Sequence, residues 1–105
     1  MSPRQEVFAK ISEFISNNNL DAVYSGSGLS QDKKYRYVLI SRPRYLDGEI
    51  KIYGPKFIQV QYQTALRSLP HNDSRIFQSA DNCLEFLRLA FVEHRFKDAL
   101  GVPTK

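Results

Sequence analysis

Glu49-Ile50-Lys51-Ile52-Tyr53-Gly54-Pro55-Lys56-Phe57-Ile58-Gln59-Val60-Gln61-Tyr62-Gln63 is the stretch that decides the fold. Before the Gly54-Pro55 break, Ile50 and Ile52 point one way and Glu49, Lys51 and Tyr53 the other. After it, Ile58, Val60 and Tyr62 oppose Phe57, Gln59, Gln61 and Gln63. A period of two with one apolar set describes two successive antiparallel strands, buried on one face and wet on the other. The apolar face of such a sheet must be covered by another layer.

Working toward the N-terminus, Lys34 to Arg42 reads as a further strand. Tyr35, Tyr37 and Leu39 share one face; Arg36, Val38, Ile40 and Arg42 share the other. Both faces have an apolar part, so the pattern leaves open which is buried. Arg42-Pro43-Arg44-Tyr45-Leu46 reads as a connector, because proline removes a ladder donor. Asp47-Gly48 is a hairpin-type turn signal. Gly26 to Asp32 is rich in turn formers and reads as a loop, with a short strand at Ala22-Val23-Tyr24-Ser25 before it. On the other side, Arg75-Ile76-Phe77-Gln78 is expected to be a last short strand. Between them, Ala65, Leu66 and Leu69 could form one helical turn before Pro70.

Helices flank this core. Ser2-Pro3-Arg4-Gln5 is a capping-box start, followed by Val7, Phe8, Ile11, Phe14 and Ile15 at helical spacing. Asn17-Asn18-Asn19 ends that helix, since asparagine tolerates the left-handed conformation. Ser79 or Asp81 caps a second helix whose stripe is Leu84, Leu87, Ala90, Phe91 and Arg95, with Glu93 and Lys97 spaced for an ion pair. Gly101 and Pro103 stop it. The expected fold class is α+β: a two-layer domain, with an antiparallel sheet of four to five strands and an N-terminal and a C-terminal helix packed on one face.

The 105 residues suit one domain, residues 1–105, large enough for a core without staples. With 42% hydrophobic and 25% charged residues, the composition is ordinary for a globular chain. No apolar run approaches the roughly 20 residues of a membrane span, and none near the N-terminus resembles a signal peptide. The single cysteine, Cys83, excludes an internal disulfide and fits a reducing compartment, with the cytoplasm as the default. Charge is uneven. Between Lys33 and Lys56 stand seven basic residues and two acidic ones, +5, so the rest of a chain whose total is +4 carries −1. Such asymmetry fits an anionic partner.

Catalytic and metal-binding constellations are not evident. Cys83 and His94 fall eleven residues apart on the expected second helix, about 16 Å at helical rise, too far for a base to activate a thiol. Two histidines and one cysteine, with no close pair, do not make a metal site; His71-Asn72-Asp73 reads as a polar turn. Gly26-Ser27-Gly28 precedes a strand rather than a helix N-terminus, so it is not a phosphate loop. Asp47 and Glu49 are expected to be solvated and untuned. No cofactor or metal is expected.

The wet face is the most suggestive surface. Lys51, Tyr53, Phe57, Gln59, Gln61 and Gln63 share it, joined by Tyr35 and Tyr37 if Leu39 faces outward. Arg36, Arg42, Arg44 and Lys56 belong to the same basic segment. Tyrosine, phenylalanine and arginine are enriched in protein interfaces; aromatics with cations on an open sheet also suit base stacking and phosphate contact. The expected function is a small non-enzymatic interaction or accessory domain, acting on a protein partner or a second copy. The alternatives are nucleic-acid binding through this basic, aromatic segment, and an enzyme built around His71.

Overall fold

The computed structural model describes residues 2–20, 27–42, 45–64 and 72–105. Five strands form one antiparallel sheet in chain order: β1 (Ser27–Leu29), β2 (Arg36–Arg42), β3 (Leu46–Gly54), β4 (Phe57–Thr64) and β5 (Asn72–Phe77). Helices α1 (Pro3–Asn17), α2 (Ala80–Leu87) and α3 (Phe96–Ala99) flank it, with a π-helical turn, Arg88–Val92, between the last two. This is the expected α+β arrangement.

Local signals place the helix ends. The Ser2 hydroxyl accepts from the Gln5 N–H and the Ser79 hydroxyl from the Asn82 N–H, so both helices begin on side-chain caps. Helix α1 stops at Asn17, and Asn19 takes a left-handed φ of 56°.

The register explains the strand patterns. Val38, Ile50 and Val60 lie side by side, as do Ile52, Ile58 and Phe77 through the neighbouring rows. These residues are buried together with Val7, Ile11 and Ile15 of α1 and Phe86, Leu87 and Phe91 of the C-terminal segment. The face carrying Val38 and Ile40 is therefore the covered one, which settles the ambiguity of β2. Tyr35, Tyr37 and Leu39 stand on the open face.

Asn72 and Asp73, read as part of a polar turn, are instead the first residues of β5, paired with Gln63 and Tyr62. Four further expectations need correction. Asp47-Gly48 is not a turn but the second and third residues of β3; the chain reverses earlier, between Arg42 and Leu46, where Tyr45 N–H bonds Arg42 C=O at 3.0 Å. Gly48 is there for space: a Cβ would lie 3.0 Å from the Gln61 carbonyl oxygen, 3.2 Å from Ile40 Cγ2 and 3.4 Å from Phe91 Cζ. Ser27-Gly28-Leu29 is a strand rather than loop, because its pairing with β2 supplies the hydrogen bonds that local sequence does not announce. The strand expected at Ala22–Ser25 lies outside the described residues, as do the Ala65–Pro70 helical turn, Pro43, Arg44 and His71.

The other two corrections concern the C-terminal segment. It is not one helix. Glu93 N–H reaches back to Arg88 C=O and Arg95 N–H to Leu89 C=O, wider loops than the α-helical ladder, and His94 follows with φ 57°. Arg42 of β2 donates to the Phe91 carbonyl at 3.1 Å, satisfying an acceptor that the broken ladder exposes. Glu93 consequently pairs with Arg88, which also binds Glu85, rather than with Lys97.

Candidate functional site

With the helices on one face, the other face of the sheet is built from alternate residues of each strand. The register arranges them in rows. Tyr35, Tyr53 and Phe57 occupy one end. Gly28, Tyr37, Lys51, Gln59 and Ile76 form the next row, and Leu39, Glu49, Gln61 and Ser74 the third. Ser41, Asp47 and Gln63 reach the far end.

The two ends differ in chemistry. At the first, the Tyr35 and Tyr53 rings are 5.0 Å apart and tilted, and Tyr53 meets Phe57 edge-on at 4.8 Å. Lys51 Nζ sits over the Tyr35 ring at 5.4 Å while facing Glu49 at 3.6 Å. Phe57 is 45% exposed, and Ile76, on the edge strand, 44%. Tyr37 is folded over Gly28, where a Cβ would come within 3.1 Å of the tyrosine oxygen. A glycine in an edge strand thus makes room for an aromatic ring that covers it.

Charged residues of both signs flank this aromatic end. Lys56 is exposed in the β3–β4 turn. Lys33 and Lys34 are exposed in the β1–β2 loop, which is held on several sides. Asp32 accepts from the Ser30 hydroxyl at 2.8 Å and from the Lys34 N–H at 3.1 Å. Those bonds, the Ser30 hydroxyl first, lower the Asp32 carboxyl below its usual value. Arg4 of α1 donates to the carbonyls of Lys33 and Lys34. Lys33 itself takes a left-handed φ of 62°.

The opposite end is amide-rich and acidic. Leu39, Asp47, Glu49, Gln61, Gln63 and Ser74 line a shallow depression of about 680 Å³. Asp47 is exposed and accepts from the buried Ser41 hydroxyl at 2.6 Å. Among the described residues, the aromatic rings of the open face therefore gather at one end, and its amides and the Asp47 carboxylate at the other.

The residues singled out from the sequence divide between the two faces. Lys51, Tyr53, Phe57, Gln59 and Gln61 come together on the open face, with Lys56 at its aromatic end. Tyr35 and Tyr37 do join them. Arg36 and Arg42 do not. Arg36 lies on the covered side with its guanidinium 5.2 Å from the Phe8 ring centre, and Arg42 bonds Phe91 C=O. The parity of β2 dictates this: residues 36, 38, 40 and 42 must share a face, and Val38 and Ile40 claim the core. Arg44 lies outside the described residues. What sequence reasoning missed is Asp47: assigned to a turn, it is a face residue beside Gln63. The isoleucine at position 76 marks the outermost strand of the same face.

The groups suited to covalent chemistry are placed elsewhere. Cys83 is fully buried, and burial pushes its thiol up to about 12, so it carries no thiolate at neutral pH. His94 stands beyond the helix break, exposed and stacked on Tyr45 with ring centres 4.7 Å apart. Burial, and then the nearby Asp73 carboxylate, raise the Tyr62 phenol. Among the described residues, no three His, Cys, Asp or Glu side chains are grouped as a metal site, and no helix is long and apolar enough to cross a membrane.

Comparison with protein-family models, with curated proteins and with solved structures finds no match for this chain.

Proposed function

We propose that this chain is a protein-interaction domain whose contact surface is the open face of the sheet, anchored at Tyr35, Tyr53 and Phe57. One observation carries the reading: three aromatic rings pack on one another at the solvent side of the sheet, with Phe57 left 45% exposed. Large exposed aromatics on a rigid strand lose little side-chain entropy on binding, and such residues dominate interface energetics. The depression beside them supplies amide and carboxylate hydrogen-bonding groups for a polar rim.

Affinity recovery from lysate with wild-type protein and with Phe57→Ser tests it. A partner, or the protein's own second copy, held by the wild type and lost in the variant supports the reading. Equal recovery by both, or a wild type that stays monomeric and holds nothing, counts against it.

A second reading, nucleic-acid binding, draws on Lys51 over the Tyr35 ring and on Lys33, Lys34 and Lys56 at the same end. It ranks lower. Arg36 and Arg42, the planar cations best suited to phosphate, serve contacts on the helix side, while Asp47 and Glu49 share the open face. The ring geometry points the same way: Tyr53 and Phe57 meet edge to face, which leaves less free ring surface for bases. Titration of labelled single-stranded RNA and DNA by anisotropy separates the readings. Saturable binding near physiological salt, lost in Lys34→Glu/Lys56→Glu, would rank nucleic acid first; binding only at low salt would be nonspecific.

A further inference from the structure

We propose that Tyr35 and Tyr53 are an oxidation site, at which one-electron oxidants join the two rings into a dityrosine that links β2 to β3. This covalent chemistry belongs to the single chain and is independent of what the open face binds.

The register brings the two side chains together. Arg36 pairs with Ile52, so Tyr35 and Tyr53 stand opposite each other one position further along the two strands. Cross-strand partners hold their Cβ atoms about 5 Å apart. The rings are in contact, with centres 5.0 Å apart and planes tilted by 49°. Neighbours hold them there. Phe57 meets Tyr53 edge-on at 4.8 Å, and Lys51 Nζ lies 5.4 Å from the centre of the Tyr35 ring. Both tyrosines are half-buried on the solvent side of the sheet, within reach of a dissolved oxidant.

The other described tyrosines lack this arrangement. Tyr62 is buried against Phe86, Tyr45 is stacked on His94, and Tyr37 is folded over Gly28. Among the described residues, Tyr35 and Tyr53 are the tyrosines whose rings touch each other. Cys83, the chain's single thiol and the group best able to quench a tyrosyl radical, is fully buried.

Each phenol gives up one electron and one proton and becomes a neutral phenoxyl radical. Its unpaired spin is shared with the ring carbons beside the C–O bond. One such carbon of Tyr35 bonds to its counterpart on Tyr53. The hydrogen on each of these carbons then moves to the phenolic oxygen, which restores both phenols. The sum is a loss of two electrons and two protons. A peroxide accepts the electrons: hydrogen peroxide takes up the protons as well and becomes two waters, whereas persulfate becomes two sulfates and leaves the protons to the buffer. Radicals held side by side combine without having to diffuse, an advantage that coupling between separate chains does not share.

Photo-oxidation of the full chain in dilute solution, with ruthenium tris-bipyridyl and persulfate, tests the proposal. Dityrosine fluorescence follows the reaction, and mass spectrometry of the digested product locates the bond. Wild type should give a monomeric product lighter by two hydrogens, with the Tyr35 peptide joined to the Tyr53 peptide. Tyr35→Phe and Tyr53→Phe keep the rings and remove the phenols, and circular dichroism confirms that each is folded. Each should lower the yield of joined monomer at least about tenfold, since the tethered pair is gone. Tyr37→Phe should leave that yield unchanged. In concentrated urea the wild type should lose its preference for the Tyr35–Tyr53 bond, because the fold no longer holds the rings together. A wild type that gives no joined monomer overturns the proposal. So does a bond formed mainly between other tyrosines or between separate chains, a Tyr35→Phe or Tyr53→Phe variant that reacts like the wild type, a Tyr37→Phe variant that abolishes the product, or an undiminished preference in urea.

Discussion

The two faces of this sheet are built from the same strands, yet they treat the same residue types in opposite ways. On the covered face Arg42 reaches 49 residues along the chain to the Phe91 carbonyl, and Phe91 is fully buried over Gly48. On the open face Lys51 spans Glu49 and Tyr35, and Phe57 stays 45% exposed. A cation and an aromatic on the covered face complete the fold. On the open face they leave a surface whose contacts are incomplete. The difference teaches that side-chain chemistry alone does not separate structure from function here; position on the pleat does.

The comparison can be broken most forcefully at the phenylalanines. Phe91→Ala should cost about 3–5 kcal/mol, through lost transfer energy and the cavity left behind. Phe57→Ala should cost about 1 kcal/mol or less, since its surface is largely solvated already. Urea denaturation measures both. Similar costs would mean that the open face helps to stabilise the monomer.

Alkaline pH gives the next largest effect. The Cys83 thiol is raised from 9.0 to about 12 by burial. Its neutral form is fully favourable to folding below the unfolded value, and that contribution is lost as pH rises through the folded one. Stability should therefore fall by a few kcal/mol between about pH 9 and 12, at about 1.4 kcal/mol for each pH unit crossed. Cys83→Ala should be less stable at pH 7 but flatter across that window. Buried Tyr62, also raised, adds to the alkaline loss from its ordinary 10.0 upward. Parallel pH profiles for wild type and Cys83→Ala would show that the loss lies elsewhere.

Glycines sharpen the contrast further. Gly48→Ala should destabilise by about 1–3 kcal/mol, because the added methyl meets the Gln61 carbonyl and the Ile40 side chain. Gly54→Ala, with nothing within 4 Å of the new carbon, should change stability by about 0.5 kcal/mol or less. Thermal midpoints of the pair decide it; equal shifts would mean that Gly48 does not hold the space for Phe91.

The last contrast concerns the cations. Arg42→Met should cost about 1–3 kcal/mol, leaving the Phe91 carbonyl without its charged donor. Lys51→Met should cost about 0.5 kcal/mol or less, as a partly exposed ion pair. Lys51→Met should nevertheless weaken recovery of a partner from lysate more than Arg42→Met does. The reverse ranking would move the contact surface to the helix side.

Much of this was legible from residues alone. The alternation of Glu49–Tyr53 and Phe57–Gln63 gives β3, β4 and their wet set, because a period of two fixes side-chain direction wherever one face must be apolar. Ser2, Ser79 and Asn19 mark helix ends through bonds and backbone angles confined to a few neighbouring residues. The single alternating stretch that opened the reading also holds seven of the residues brought together on the open face: Glu49, Lys51, Tyr53, Phe57, Gln59, Gln61 and Gln63.

Other features were beyond local reading because their causes are distant in sequence. In β2 both faces are partly apolar, so only packing against α1 and Phe91 determined that Val38 and Ile40 go inside and that Arg36 and Arg42 follow them. Asp47-Gly48 carries the signature of a turn, yet glycine there serves the approach of an aromatic more than forty residues away. The C-terminal segment has one helical stripe, but Arg42 and the Glu93–Arg88 pair accompany a break that periodicity does not register. The sequence by itself determined the α+β class, the strand alternation and the helix caps, all set by the nearest neighbours along the chain. Only the tertiary structure decided which face of β2 is covered, and with it which side chains make up the open face, because burial is shared between elements that meet only when the chain is folded.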